Sequence, residues 1–294
     1  MDAIHASVLA LNDSGVSELP TAEQVIASVP IWRGSGVTVE AAMPGLTNRS
    51  FRVRSGGERF VLRLNAAHTP ILRVDRANER VALQRAQQAG IGPEVVYSDG
   101  ENGVLVTRFI DGTVLSADDL ERTATLERIA ALLREVHALP PFGNGYESLR
   151  AAGHYASALP DDAKLQRTGE SCLNFIHAQR GMVTASFCHN DVIALNLIDT
   201  GSLYLIDWEY AGDNDAFFDL ASLIAWHDLD ARQTDVLLGA YTGGLREHDK
   251  ERLEIQRRVY DALHWLWLAA RESITPSEFG SRRLAELERG LRLT

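Results

Sequence analysis

Three oxygen-bearing side chains stand close together in the second half of the chain. Asp191 precedes a predicted turn and Asn196 follows it, so both can point into one cleft, and Asp207 returns to the same place at the end of the next predicted strand. Two carboxylates and an amide oxygen form a hard, oxygen-only ligand set, which suits Mg²⁺ shared with substrate phosphates. The spacing therefore predicts a base beside a metal site, with phosphoryl transfer as the reaction.

Negative charge is concentrated around these residues. Between Gly181 and Ala231 there is no Lys or Arg, while the acidic residues of that stretch are Asp191, Asp199, Asp207, Glu209, Asp213, Asp215, Asp219, Asp228 and Asp230. Solvated loops account for some of them. Asp207 and Glu209, however, lie in the apolar frame LYLIDWEY, where a charge without a cation nearby is costly. This field favours Mg²⁺ and a positively charged acceptor.

Composition bounds the class of protein. The 294 residues are 45% hydrophobic and 23% charged, which predicts a soluble protein of one large domain or two smaller ones. The net charge of −11 argues against nucleic acid and anionic lipid as main partners. Cys172 and Cys188 are too few for a disulfide framework. With no basic leader and no apolar run long enough to span a bilayer, we expect a cytoplasmic protein without membrane insertion.

The first part of the chain predicts a small sheet with one main helix. Thr21 and Gln24 form a capping box that opens a short helix ending near Ser28. A longer helix is expected over Asp75–Ala89. The predicted strands are Val37–Met43, Ser50–Arg54, Arg59–Leu64, Val95–Ser98 and Val104–Phe109. These elements predict a first lobe over residues 1–110.

The rest of the chain, residues 111–294, is predicted to be mainly helical. Asp111-Gly112 reads as a hinge, because a helical period begins after it with Leu120, Leu126, Ile129, Leu133 and Val136. An exception is a predicted hairpin of Leu195–Ile198 and Leu203–Ile206, which lies between the candidate site residues.

The stretch Phe187–Ala221, FCHNDVIALNLIDTGSLYLIDWEYAGDNDAFFDLA, resembles the choline and ethanolamine kinase family within the aminoglycoside-phosphotransferase-like group. Further matches occur in the same order in PGLTNRSFRV, VDRANER, GIGPEVVYSDG, RFIDG and SEFG, scattered from Pro44 to Gly280. The resemblance implies an α+β, two-lobed protein-kinase-like fold, with an N-terminal antiparallel sheet and a mostly helical C-terminal lobe. It also implies an ATP-dependent small-molecule kinase that uses ATP and Mg²⁺.

The resemblance assigns roles to the site residues. Asp191 is implied as the catalytic base for the acceptor hydroxyl, while Asn196 and Asp207 hold Mg²⁺. Arg63 falls where most kinases place the lysine that contacts ATP, and an arginine there is usual in choline kinases. Lysine scarcity makes the same point independently, because the only lysines, Lys164 and Lys250, lie in the second lobe and no GK[ST] phosphate loop exists.

The remaining nucleotide contacts are implied for the first lobe and its main helix. Glu79 is expected to pair with Arg63, although a lone glutamate on a helix normally faces solvent. The backbone of Arg108, Phe109 and Ile110 is expected to face adenine, and Asn48 and Ser50 are expected to lie over the phosphates.

For the acceptor, the resemblance places Trp267 on a quaternary-ammonium cage with Tyr210 and Glu209 nearby. A carboxylate that choline kinases carry is absent here, and its place falls near Ala225-Trp226, so Trp226 supplies an aromatic wall or the acceptor is not choline. Choline or a related amino alcohol is favoured. Thiamine, an aminoglycoside or a sugar remain open as acceptors, and a catalytically silent nucleotide-binding module is the alternative of a different class.

Several residues near the site have simpler structural interpretations. His189 and Asp219 are expected to brace the loop rather than react, because Asp191 already fills the role of base. Trp265 is expected in the core, and Cys188 in a strand before the loop. A metal hydrolase using His189 ranks last, since the other histidines form no H-x-x-x-H cluster. The oligomeric state is left open.

Overall fold

The computed structural model of the chain describes residues 20–43, 48–65, 74–179, 185–274 and 276–291. The strands are β1 Val37–Met43, β2 Arg49–Ser55, β3 Glu58–Leu64, β4 Val95–Asp99, β5 Val104–Arg108, β6 Thr113–Val114, β7 Ser186–Cys188, β8 Leu197–Asp199, β9 Leu203–Leu205 and β10 Gly212–Asn214. The helices are α1 Ala22–Ser28, α2 Arg76–Gln88, α3 Thr123–His137, α4 Glu147–Ser157, α5 Ala163–Ala178, α6 Ala216–Trp226, α7 Ala231–Thr242, α8 Glu247–Glu272 and α9 Glu278–Gly290.

The first of two compact units contains the described residues of the first 69 positions together with Pro93–Asp111. Its sheet has the order β1-β2-β3-β5-β4 and is antiparallel throughout. The predicted strands are thus confirmed to within a residue or two at their ends. The sequence Pro44-Gly45-Leu46-Thr47-Asn48 predicts a turn between β1 and β2, and all of it except Asn48 lies outside the described residues.

Side-chain chemistry explains why this unit folds. The Thr21 hydroxyl accepts the Gln24 N–H, and the Gln24 side chain accepts the Thr21 N–H, so the predicted capping box opens α1. One face of the sheet and α1 enclose an apolar core that includes Trp32, Phe60 and Leu62. Alternation along the strands leaves the opposite face for polar residues.

The second unit contains α2 with the following residues to Gly92, and the described residues from Gly112 onward. The long helix α8 packs against α4, α5, α6 and α9 and forms the centre of the helical core. Trp265 on α8 is fully buried there, as predicted. The predicted lobe boundary after residue 110 stays a prediction. None of the helices in the described ranges combines the length and apolar character needed to cross a membrane.

The described residues around the candidate site form a three-stranded and a two-stranded sheet, where the sequence predicts one hairpin. The prediction of a strand over Leu195–Ile198 is wrong in its first half, because Ala194–Asn196 forms a 3₁₀ turn and β8 starts at Leu197. That turn buries Asn196 and exposes Leu195. The second strand ends at Leu205, before the predicted Ile206. β8 also pairs with β6, and β7 pairs with β10.

Two glycines test how tightly the start of the second unit packs. A Cβ on Gly112 would lie 2.6 Å from Ile198 Cγ2 and 2.7 Å from the carbonyl oxygen of Asp199, so Gly112→Ala should lower the free energy of unfolding by about 1–3 kcal/mol. Gly153, inside α4, has nothing within 4 Å of that position, so Gly153→Ala should be neutral or stabilising by up to about 1 kcal/mol. Urea unfolding of both variants measures this. Equal effects would contradict the packing at Gly112.

Candidate active site

The loop after β7 is held from beneath by one buried carboxylate. Asp219, at the start of α6, accepts the main-chain N–H of His189 at 2.8 Å and that of Asn190 at 2.7 Å. Asn190 has φ of 66°, a left-handed conformation that asparagine tolerates. Its side chain donates to the carbonyl of Tyr210 at 3.0 Å. The bracing role predicted for Asp219 matches this geometry.

His189 completes the brace. Its Nε2 lies 2.9 Å from the carbonyl oxygen of Ile206, and its Nδ1 accepts the N–H of Asp191 at 3.3 Å. These contacts fit the neutral ring protonated on Nε2. Burial lowers the pKa of His189, against the opposing charge of Asp219. The imidazole is therefore a neutral connector between the loop and the end of β9, as its structural interpretation predicts.

Asp191 and Asn196 are brought together by the 3₁₀ turn between them. Asn196 Nδ2 donates to the carbonyl oxygen of Asp191 at 2.9 Å and to its Oδ2 at 3.2 Å. Burial, then the charge of Glu209, raises the pKa of Asp191 to about 6, although the Asn196 hydrogen bond opposes this. A carboxylate of that pKa is still mostly ionised at neutral pH and is a stronger base than an ordinary aspartate.

Asp207 follows β9 after one residue, Ile206, and lies beside the same turn. The main-chain N–H of Ile206 donates to the carbonyl oxygen of Asn196 at 2.9 Å, which joins the residue before Asp207 to Asn196. Asp207 itself has φ of 65° and ψ of 60°, a left-handed conformation. Such a backbone at a non-glycine residue is uncommon and is enriched at functional sites.

The donor set fits Mg²⁺. Because Asn196 commits its Nδ2 to Asp191, its Oδ1 is the atom left to ligate a cation, and the half-buried Asp207 supplies a carboxylate. Both are hard oxygen donors. Mg²⁺ commonly takes only one or two ligands from the protein, because phosphates and waters complete its coordination shell.

Glu209 takes part in a buried ion-pair cluster. Arg76 Nη1 on α2 lies 2.8 Å from Glu79 Oε2 and 3.1 Å from Glu209 Oε2. The side chains of Arg76, Glu79 and Glu209 are 16%, 5% and 1% exposed, so the contacts are shielded from solvent. The structure therefore pairs Glu209 with a cation of this chain. The predicted pairing of Glu79 with Arg63 stays a prediction.

Two tyrosines, Tyr210 after β9 and Tyr260 on α8, lie within electrostatic reach of Asp191. Burial raises the pKa of Tyr210 well above its usual range, with Glu209, Tyr155 and Asp191 adding to the shift and Trp267 opposing it. Burial also raises the pKa of Tyr260, with Asp191 contributing. The charges of Tyr210, Tyr260 and Asp191 are thus coupled, and Trp267 lies beside Tyr210.

The aromatic wall continues along α8 to the end of α6. His264 stacks on Trp226, with ring centroids 5.6 Å apart, and its ring lies 5.9 Å from that of Trp267 and 5.5 Å from that of Tyr260. Burial and the charge of Arg283 lower the pKa of His264 to about 3, so the ring is neutral. Trp226 thus belongs to a row of rings with Tyr260, His264 and Trp267, and its role as a wall of the acceptor site stays a prediction.

The nucleotide residues predicted for the first unit lie on its sheet. Arg63 is buried on β3, directly opposite Ser50 on β2, and its Nη2 donates to Asn65 Oδ1 at 3.4 Å. Asn48, which precedes β2, is half-buried. Their contacts with phosphate stay predictions.

At the edge of that unit, two of the three predicted adenine contacts have their N–H groups engaged. Arg108 donates its main-chain N–H to Glu94 at 2.8 Å, and Phe109 donates its own to Arg59 at 3.0 Å. Ile110 follows, half-buried. A purine at this edge would therefore meet carbonyl groups at the first two positions, and the backbone contacts stay a prediction.

Four residues near the site carried no assignment in the sequence: Arg76, His137, Tyr260 and His264. Arg76 belongs to the VDRANER match. Tyr260 lies on the same predicted helix as Trp265 and Trp267, a spacing of aromatic residues that is typical of a core helix. His137 is the last residue of α3, and His264 lies in the apolar run Ala262–Ala270 of α8, a position typical of core histidines. Ligand atoms of His137, Cys188 and Asp219 lie within 4.8 Å of one another, but Cys188 and Asp219 are buried and His137 bonds Asp219.

Comparison with known proteins finds similarity to phosphotransferases in both sequence and structure. The family described as "Phosphotransferase enzyme family" matches residues 38–254. Protein LicA of Haemophilus influenzae is 27% identical over 271 residues, covering 86% of this chain and 79% of that protein. The crystal structure of a choline/ethanolamine kinase family protein from Mesorhizobium loti is 28% identical, with a TM-score of 0.70, and covers 90% of this chain and 91% of that one. That of choline kinase LicA from Streptococcus pneumoniae shares the fold at 20% identity, with a TM-score of 0.73 and coverages of 87% and 93%.

Proposed function

This chain belongs to the phosphotransferase enzyme family, and we propose that it transfers the γ-phosphoryl group of ATP to the hydroxyl of choline or a related amino alcohol. The fold is protein-kinase-like and the reaction class is phosphotransfer to an alcohol. The observation that carries the proposal is the hydrogen-bonded pair of Asp191 and Asn196, joined through Ile206 to Asp207. The acceptor is supported by the similarity to choline and ethanolamine kinases and by the aromatic residues around Asp191.

In the proposed reaction, Asp191 accepts the hydroxyl proton while the acceptor oxygen attacks the γ-phosphorus. The new bond joins that oxygen to phosphorus, the bond from phosphorus to the bridging oxygen breaks, and ADP leaves with that electron pair. Asn196 keeps the Asp191 carboxylate in one orientation. Asn196 Oδ1 and Asp207 would hold Mg²⁺, which neutralises charge on the phosphate oxygens when bound. Catalysis then depends mainly on positioning and electrostatics.

Arg63 is the cation proposed to orient the phosphates of ATP. It is buried on a regular strand, which fixes its guanidinium better than a loop would, and Ser50 stands opposite it in register. The five N–H groups of a guanidinium suit phosphate recognition. Asn48, Ser50 and the segment from Arg108 to Ile110 complete the proposed nucleotide site.

The acceptor's ammonium is proposed to lie against Trp267 and Tyr210 near Glu209, with Trp226 as a further wall. A cation over an indole face is worth roughly 0.5–2 kcal/mol, so Trp267→Ala should raise the choline KM very roughly 2- to 30-fold. Trp267→Phe, which keeps an aromatic face, should lose less. Steady-state kinetics measure both, with the ATP KM as internal control. An unchanged choline KM in Trp267→Ala would place the acceptor elsewhere.

Turnover against a panel of acceptors tests the proposed function. Choline should exceed ethanolamine in kcat/KM, because trimethylammonium makes the larger apolar contact with Trp226 and Trp267 and needs no hydrogen-bond acceptor. ATP-dependent product formation is measured with choline, ethanolamine, thiamine, an aminoglycoside and a neutral sugar. Turnover of the sugar or the aminoglycoside alone would overturn the acceptor but not the kinase. Nucleotide binding without turnover of any acceptor would indicate a silent module.

A further inference from the structure

A chain of buried polar contacts leads from α7 to the loop that carries Asp191. The Tyr241 hydroxyl lies 2.7 Å from His137 Nδ1. His137 Nε2 lies 3.1 Å from Asp219 Oδ2, and the side chains of His137 and Asp219 are 5% and 0% exposed. The same Oδ2 accepts the N–H of His189, and Oδ1 accepts the N–H of Asn190.

The Asp219 carboxylate sets the direction of the hydrogen bonds that it makes, and through the His137 tautomer it sets the direction of the next one. An ionised carboxylate only accepts, so His137 Nε2 must carry a proton and donate to Asp219. In the neutral ring Nδ1 is then an acceptor, and the Tyr241 hydroxyl donates to it. The Tyr241 ring also packs edge-on against His137, with ring centroids 5.5 Å apart, and against Phe217, with centroids 5.8 Å apart. This packing restricts where the Tyr241 hydroxyl can lie. The orientation of His137 is therefore set from both sides.

The orientation of the Asp219 carboxylate matters because it accepts an unusual set of hydrogen bonds. It holds two successive N–H groups, one of them on Asn190, whose φ of 66° is a conformation that must be maintained by its surroundings. Asp191 is the next residue in the chain. A rotation of the Asp219 carboxylate would release Asn190 and shift the direction in which the Asp191 side chain leaves the backbone.

We infer that His137 and Tyr241 are positioning residues for Asp191, acting through Asp219. The inference rests on the proposed function, since it takes Asp191 as the base. Neither residue belongs to the proposed ATP, Mg²⁺ or acceptor contacts. Their loss should therefore lower the rate of the chemical step while leaving substrate binding nearly unchanged.

Kinetics of three variants test the inference. His137→Leu removes the donor to Asp219 and should lower kcat at least about tenfold, with both KM values within about threefold of wild type, because a small misplacement of a reacting group is costly. His137→Gln keeps an N–H donor near the Nε2 position and should recover most of the lost kcat. Tyr241→Phe removes only the hydroxyl and should cost roughly two- to fivefold in kcat.

Leu133→Ala on the same helix is the matched control. Leu133 is fully buried and its side chain has no polar atom, so its truncation lowers the thermal midpoint while removing no hydrogen bond of Asp219. At a temperature where all variants are folded, this variant should keep the wild-type kcat. An active wild type whose His137→Leu variant keeps its kcat, or loses no more than Leu133→Ala, would overturn the inference alone. A kcat in His137→Gln as low as in His137→Leu would overturn it too. A wild type that phosphorylates no acceptor would overturn the proposed function and this role with it.

Discussion

Asp191→Asn should lower kcat by roughly 10²-fold or more while the protein stays folded. The substitution is nearly isosteric and keeps an oxygen that accepts from Asn196, so the hydrogen bond to Asn196 Nδ2 survives. What is lost is the negative charge and the basicity that burial and Glu209 give to this carboxyl. kcat and both KM values are measured at matched folding by circular dichroism. We expect the KM values to change little, because Asp191 acts on the reacting proton.

Asp199→Asn is the matched control for that substitution. Asp199 lies at the end of β8, and its carboxylate accepts a hydrogen bond of 2.6 Å from Arg128, which is not one of the proposed reacting groups. Its loss should affect stability slightly and kcat within about twofold. If the two variants behaved alike, the rate loss could not be assigned to Asp191.

The pH dependence of the wild type adds a second check on Asp191. The pKa of its carboxyl is raised to about 6, so protonation below that value removes the base. kcat/KM should then be level above the pKa and fall about tenfold per pH unit below it. The residual activity of Asp191→Asn should lack this limb. An identical acidic limb in both proteins would assign it to another group.

Asp207→Asn should also reduce kcat by roughly 10²-fold or more, for a different reason. Asparagine tolerates the left-handed backbone that Asp207 adopts, so the substitution removes one charge without straining the turn. The loss should lessen as Mg²⁺ is increased, because the weakened ligand binds the cation less tightly. The activity of both proteins is therefore measured across a Mg²⁺ titration.

A wild-type dependence on Mg²⁺ in Asp207→Asn would contradict the role of Asp207 as a ligand. Asp207→Ala is the wrong variant for this test, because alanine resists φ near 65° and would add a folding defect. Asp199→Asn again serves as the control with the same chemical change.

Much of the fold could be predicted where local signals agree. The capping residues Thr21 and Gln24 mark the start of α1, and glycine turns separate β2 from β3, at Gly56-Gly57, and β4 from β5, at Gly103. Asp75 is the N-cap of α2, which therefore begins one residue later than predicted, and it accepts the N–H groups of Ala77 and Asn78. These elements are specified by residues within one or two turns of themselves.

Predictions failed where pairing is decided at a distance. β6, β7 and β10 are two or three residues long, too short for a period, and exist because partners from other segments bond to them. The residues of Ala194–Asn196 read as the start of a strand, yet a 3₁₀ turn there carries the Asn196 amide to Asp191. Tertiary contacts override local propensity at such points.

The candidate site shows the same division. The type and spacing of Asp191, Asn196 and Asp207 were enough to predict a base and a metal site. The pairing of Glu209 with Arg76, and the line from Tyr241 through His137 to Asp219, join residues far apart in the chain. A single sequence shows which groups could react but not which distant groups hold them.

The proposed role of Asp191 is to enable transfer of the γ-phosphoryl group to an amino alcohol. A reaction of ATP, Mg²⁺ and choline, followed by ³¹P NMR with wild type and with Asp191→Asn, tests this role. We expect the wild type to form a phosphomonoester of choline in step with ADP, and Asp191→Asn to form it at least roughly 10²-fold more slowly. Formation of the ester at equal rates by both proteins, or of ADP and inorganic phosphate alone by the wild type, would contradict it.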